Sequence, residues 1–187
     1  MALDRTWYNA LVDDDGSGLT GSVWDKADIA NLLNSVDSEI ARLDARIANR
    51  PYCEVKLLGV QSSIPHTTFT PLTFNNVPFN PYGMVGAGQV ITIQTAGIYL
   101  VTAQIFWTIN GTGGRSLRIA GNAVAILPDS NIDAEASVYT NHRYAGVANL
   151  AAGTQITLVA AQTSGAALLC GDFGGLNTNW LRLDFLA

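Results

Sequence analysis

Charge is scarce in this chain, and most of it lies at one end. Of 187 residues, 25 are Asp, Glu, Lys or Arg, with a net charge of −5. Sixteen of these fall in residues 1–56, and residues 57–187 hold nine: Arg115, Arg118, Asp129, Asp133, Glu135, Arg143, Asp172, Arg182 and Asp184. No stretch gathers the basic side chains that a phosphate backbone requires, so nucleic acid is not an expected partner. No apolar run reaches the length of a membrane span, and no charged segment followed by an apolar one opens the chain. The expectation is a soluble protein made in a cytosol, without membrane insertion. Cysteine is nearly absent: Cys53 and Cys170 stand far apart with no metal-ligand spacing, which favours free, buried thiols. Histidine is as rare. His66 and His142 are the only imidazole bases, no Gly-x-Ser-x-Gly elbow accompanies them, and both are expected at the surface or in an interface. No catalytic residue, cofactor or metal is expected.

What the chain does have begins with "LVDDDGSGLTGSVWDK", Leu11 to Lys26. In EF-hand register Asp13, Asp15, Ser17 and Gly18 fit the first half of a calcium loop. The closing position, which needs a bidentate Glu, holds Trp24. A calcium site is therefore not expected. An acidic, glycine-rich segment flanked by Trp7, Tyr8 and Trp24 reads instead as one that docks on a partner.

Residues Ile29, Leu33, Val36, Ile40, Leu43 and Ile47 recur in alternating four- and three-residue steps. As heptads, Leu33, Ile40 and Ile47 take the a positions and Ile29, Val36 and Leu43 the d positions. β-branched residues at both core positions lean toward three strands. Ser22 or Asp25 can cap the helix, and Pro51 disfavours helical geometry at Arg50. The narrow stripe predicts a short trimeric stalk over 26–50.

After Pro51 the texture changes to short runs rich in β-branched and aromatic residues: "CEVKLLGV", "QVITIQ", "GIYLVTAQIFWTI", "RSLRIA", "AVAIL", "HRYAGVANL", "TQITLVAAQ" and "NWLRLDFLA". Turn-forming sequences separate them, with no helical pattern between, which predicts a β-sandwich or jelly roll over 51–187. In "GIYLVTAQIFW" the set Tyr99, Val101, Ala103, Ile105, Trp107 lies opposite Ile98, Leu100, Thr102, Gln104, Phe106. Both sets carry large apolar residues, so one face suits the sandwich core and the other needs a partner. With so few charges on the C-terminal domain, that partner is expected to be another copy of the chain.

The order "VPFN", "VITIQTAGIYLVTAQIFW", "SLRIAGNAVAIL", "ANLAAGTQITLVAAQ" and the terminal "WLRLDFLA" resembles the C1q/TNF-like jelly-roll domain. The sequence departs from that pattern at Thr154, where the family often has Asp, and at Leu100 to Val101, where it usually has Phe. The resemblance implies trimers packed on flat apolar faces around a three-fold axis. The opening Trp7, the acidic run and Trp24, followed by a helix, resemble the N-terminal segment of phage or phage-like-particle fibre and spike proteins. That likeness implies a virion anchor, with Trp7, Asp13, Asp14, Asp15 and Trp24 docking on a capsid, neck or tail protein.

The resulting expectation is a homotrimeric spike of a virion, assembled in the bacterial cytoplasm: an anchor over 1–25, a stalk over 26–50 and a head over 51–187 that binds a host surface glycan. Aromatic and amide side chains in the loops are the candidate receptor contacts: Tyr82, Asn131, Asp133, Tyr139, Asn141, Phe173 and Asn177. The cluster Asp129, Asp133 and Glu135 could serve glycoside cleavage or hold a cation, but solvation of a loop is the ordinary reading. Other readings are a virion decoration protein without a receptor, a bacterial C1q-like interaction module outside any virion, and a carbohydrate-active enzyme.

Overall fold

The computed structural model describes residues 26–48, 50–173 and 179–187. They form two compact units that divide after Arg50. The first holds helix α1 (Lys26–Ala48), whose 23 residues span about 35 Å. It ends ahead of Pro51, where the sequence places the stop. Among the heptad positions, Ile29, Leu33 and Ile40 are half-buried and Val36 and Leu43 are exposed. The helix therefore carries an apolar stripe that its own unit leaves open. The capping residues Ser22 and Asp25, the anchor residues and the side chain of Ile47 lie outside the described residues.

The second unit is a sandwich of two antiparallel sheets. Its strands are β1 (Tyr52–Leu57), β2 (Val60–Ile64), β3 (Thr70–Pro71), β4 (Asn76–Phe79), β5 (Ile91–Thr92), β6 (Gly97–Trp107), β7 (Gly114–Gly121), β8 (Val124–Ala125), β9 (Ser130–Asp133), β10 (Thr140–Leu150), β11 (Gln155–Gln162), β12 (Leu168–Gly171) and β13 (Asn179–Phe185). Strand β6 is the spine of the first sheet. On one edge β10 pairs with it from Thr140↔Trp107 to Leu150↔Gly97. On the other, β13 pairs from Trp180↔Gln104 to Phe185↔Tyr99, and β12 takes over at Cys170↔Trp107. β1 and then β4 extend the sheet beyond β13, and β2 extends it beyond β12. The second sheet is built on β11 and β7, with β3 and β5 on the outer edge of β11 and β8 and β9 on that of β7.

Period-two alternation decides which side chains fill the space between the sheets. Tyr99, Val101, Ala103, Ile105 and Trp107 of β6 are buried there, with Cys53, Val55 and Leu57 of β1 and Leu181 and Leu183 of β13. Leu117 and Ile119 of β7 and Ile156, Leu158 and Ala160 of β11 meet them from the second sheet. Both cysteines are free and buried, and burial pushes each thiol up to about 12. Such thiols stay protonated and inert near neutral pH.

Candidate interaction surfaces

Three parts of the head can meet a partner: the outward face of the first sheet, the loops at one end, and a groove on the second sheet. On the first sheet the alternation that buries Tyr99 to Trp107 turns the other set outward. Leu100, Thr102 and Phe106 are half-buried and Ile98 is 41 % exposed. The register lines Leu100 up with Val147 on one side and Asp184 on the other, and Gln104 with Arg143 and Trp180. Val147 is 56 % exposed. The charges on this face mostly cancel within it: Arg182 forks onto Asp184 at 2.8 and 2.7 Å, and Lys56 meets Glu54 at 3.0 Å. Arg143 Nε donates to Gln104 Oε1 at 2.8 Å. The result is a broad sheet face whose charges are mostly paired within it and which carries an apolar patch of Ile98, Leu100, Phe106 and Val147, a composition that suits a contact surface.

The second surface lies at the end of the sandwich opposite Pro51 and Ala187. Here three loops are knitted together by contacts that tolerate little change. Thr108 N donates to the carbonyl of Leu169 at 3.0 Å, which ties the loop after β6 to β12. A Cβ on Gly111 would stand 2.7 Å from Cα of Ala136, so that loop lies directly on the one before β10. Tyr139 stacks on Phe173, ring centroids 4.8 Å apart and planes 8° from parallel. Ile109, Val138, Tyr139 and Leu169 are all exposed here. Large apolar side chains gathered at one end of a charge-poor domain mark a contact surface.

This end is shaped from beneath by a buried cation. Arg115 is fully buried, and its guanidinium lies over Trp107, 5.7 Å from the ring centroid. Nη1 donates to the carbonyls of Thr112 and Gly114 at 3.0 Å each, and Nη2 to that of Asn110 at 2.7 Å. Three main-chain carbonyls thus hold a charge that burial disfavours, lowering its pKa; in return the cation fixes the loop after β6. His142 is also fully buried, contrary to the surface or interface position expected for it. Its place on β10 faces the core beside Ile105, and Nε2 lies 2.9 Å from Ser130 Oγ. Desolvation depresses its pKa to about 4. His66 is exposed, and its Nδ1 accepts from Gly165 N at 3.0 Å.

The candidate contact residues scatter. Tyr139 and Phe173 are brought together. Asp133 is exposed at the same end, paired in register with Gly114, while Asn131 accepts a hydrogen bond from Ser116 Oγ on the outer face of the second sheet. Asn141 is exposed on the outward face of the first sheet opposite Phe106. Tyr82 lies at the other end of the head, edge-on to Tyr52 at 5.8 Å, and Asn177 is outside the described residues. The acidic cluster is divided: Asp129 forks with Arg118 at 2.8 and 2.7 Å, which lowers its pKa, and Asp133 and Glu135 are exposed. Among the described residues no group of His, Cys, Asp and Glu side chains is arranged to hold a metal. Sequence reading missed Arg115, although a signal was present. In "RSLRIA" the alternation that sends Leu117 and Ile119 inward sends Arg115 inward too.

No family model and no curated protein matches the sequence. Solved structures do match the fold. The globular domain of zebrafish complement 1qA is similar with a TM-score of 0.50 and 14 % identity, over 73 % of this chain and 96 % of that one. Murine APRIL at pH 5.0 is similar with a TM-score of 0.53 and 18 % identity, over 74 % of this chain and 100 % of that one. At such identities the likeness shows a common fold, and residues 51–187 form a C1q/TNF-like jelly roll.

Proposed function

We propose that the chain is a homotrimeric attachment spike of a phage or phage-like particle and acts as a binder without catalysis. Residues 26–50 form the trimeric stalk and 51–187 the head. Residues 1–25 dock on a capsid, neck or tail protein, which places the chain in the virion. The distal loops around Tyr139 and Phe173 meet the host surface, a polysaccharide, and three identical weak sites on one rigid head bind by avidity. The observation that carries this reading is the outward face of the first sheet. Its apolar patch offers a surface that would close a trimer, and the heptad stripe of α1, with β-branched residues at both core positions, leans toward the same number of copies. A second reading is a C1q-like interaction module outside any virion, which the likeness to the complement and APRIL heads favours.

Two measurements test the proposal. Sedimentation should return about 60 kDa for three chains of 19.8 kDa, and a monomer would overturn it. Labelled protein should bind cells of the producing strain's relatives and lose that binding when surface polysaccharide is stripped. Binding that survives stripping would remove the glycan. Absence from purified particles would select the second reading.

A further inference from the structure

The outer face of the second sheet, opposite the sheet proposed to close the trimer, carries a groove. Its floor is formed by Ala120, Thr157 and Val159, where β7 and β11 pair as Ala120↔Thr157 and Arg118↔Val159, and Pro71 of β3 closes one side. Its volume is about 580 Å³, within the range of small-ligand sites. At one end the guanidinium of Arg118 lies 3.8 Å from the centroid of the Phe69 ring while forking onto Asp129. At the other end Asn122 uses its Oδ1 to accept from Gln155 N at 2.9 Å, and its amide nitrogen has no partner among the described residues. The Gln155 amide and the Thr157 hydroxyl have no partner among the described residues, although both line the groove.

We propose that this groove binds one neutral saccharide unit per protomer. Among the described residues the groove is lined by one charged side chain, Arg118, and its fork with Asp129 neutralises it, so neither an anion nor a cation is favoured. The low floor of Ala120, Val159 and Pro71 accepts the C–H face of a sugar ring. The Asn122, Gln155 and Thr157 groups stand where ring hydroxyls would meet them. An apolar side chain from a protein partner would fill the same floor but leave those polar groups stripped of water and unpaired, which is costly. A single sugar held this way binds at about 1 mM, and avidity over three copies makes such a site useful. The inference rests on the glycan reading proposed above and adds a sugar contact on the flank to the one proposed at the tip.

The test is a saturation-transfer NMR titration of the full chain with the methyl glycosides of glucose, galactose, rhamnose and N-acetylglucosamine. It is run on the native protein and on Thr157→Val, Gln155→Ala and Tyr139→Ala. Thr157→Val keeps shape and Gln155 is exposed, so both variants should stay folded and trimeric. The expected result is binding of at least one glycoside that weakens about tenfold or more in both groove variants. Unchanged binding in the groove variants would overturn the groove while leaving the glycan reading intact. No binding by the native protein of any of the four, or of stripped host polysaccharide, would overturn both.

Discussion

At the residue scale, the informative side chains are those whose position contradicts their chemistry. His142 stands between Asn141 and Arg143, both exposed, yet its own ring is sealed in the sandwich and held neutral by desolvation. Its folded-state pKa of about 4 lies below the ordinary value of 6.5, so the unfolded chain takes up the proton first. The neutral ring's contribution is complete above pH 6.5 and is withdrawn as pH falls toward 4, a loss of about 3 kcal/mol across that window. Urea unfolding at fixed chain concentration from pH 7 down to pH 4 should show this decline. His142→Gln, which keeps a partner for Ser130, should flatten it, and an unchanged slope in the variant would assign the decline to carboxylates. Glycine offers a second residue-scale test. Gly113 has φ of +71° and a Cβ there would lie 2.1 Å from the carbonyl oxygen of Thr163, whereas Gly83 at φ +65° faces open space. Gly83→Ala should cost only the left-handed strain of about 1–2 kcal/mol. Gly113→Ala adds a backbone clash and should cost about 3 kcal/mol or more. Equal losses in denaturant midpoints would mean that the distal loop gives way freely. Arg115 shows the limit of sequence reading at this scale. Its inward parity was legible, but that three carbonyls 1–5 residues away would hold it there depends on the path of the loop, which no periodicity encodes.

At the element scale, the outward face of β6, β10 and β13 is where the proposed trimer would close. Val147 is exposed on the outward side of β10 and lies opposite half-buried Leu100 of β6. Val147→Glu adds a charge that is harmless in water and costs several kcal/mol when desolvated without a partner. It should reduce the sedimented mass from about 60 kDa toward a single chain of 19.8 kDa, with the far-ultraviolet circular dichroism of the sheet unchanged. A variant that remains trimeric would place the interface on another face. The long strands of both sheets were the legible ones. Long runs such as Gly97–Trp107 and Gln155–Gln162 alternate over enough residues to fix both their type and their inward side. The strands absent from the runs read as β are short: Thr70–Pro71, Asn76–Phe79, Ser130–Asp133 and Leu168–Gly171. Two of them contain proline, which gives the ladder no N–H. Ser130–Asp133 reads as an acidic loop, and becomes a strand only because the edge of β7 offers it four paired positions from Leu117 to Gly114. The flank groove was invisible for the same reason. Phe69, Arg118 and Gln155 are far apart in sequence, and only the pairing of β3, β11 and β7 brings them to one surface.

At the scale of the whole molecule, the uneven charge becomes a division of labour. The charge-rich first third of the chain carries an acidic, tryptophan-flanked segment and a helix with one apolar stripe, and the charge-poor remainder is a self-contained sandwich with its own core. A head that holds its own core should fold without residues 1–25, and a trimer closed as proposed, by a sheet face and a stalk, should assemble without them. If these residues serve attachment, their removal should separate two properties that a folding role would link. The chain lacking residues 1–25 should remain a trimer of native thermal stability and bind cells as the full chain does. It should nonetheless be missing from purified particles when supplied in place of the full chain. Replacing Trp7 and Trp24 with alanine should reproduce that absence without shortening the chain, because large aromatic anchors dominate the energy of such contacts. Incorporation of the truncated trimer at normal levels would refute the anchor. Loss of trimer and stability together would make the segment part of the fold, with the stalk the next place to look for attachment.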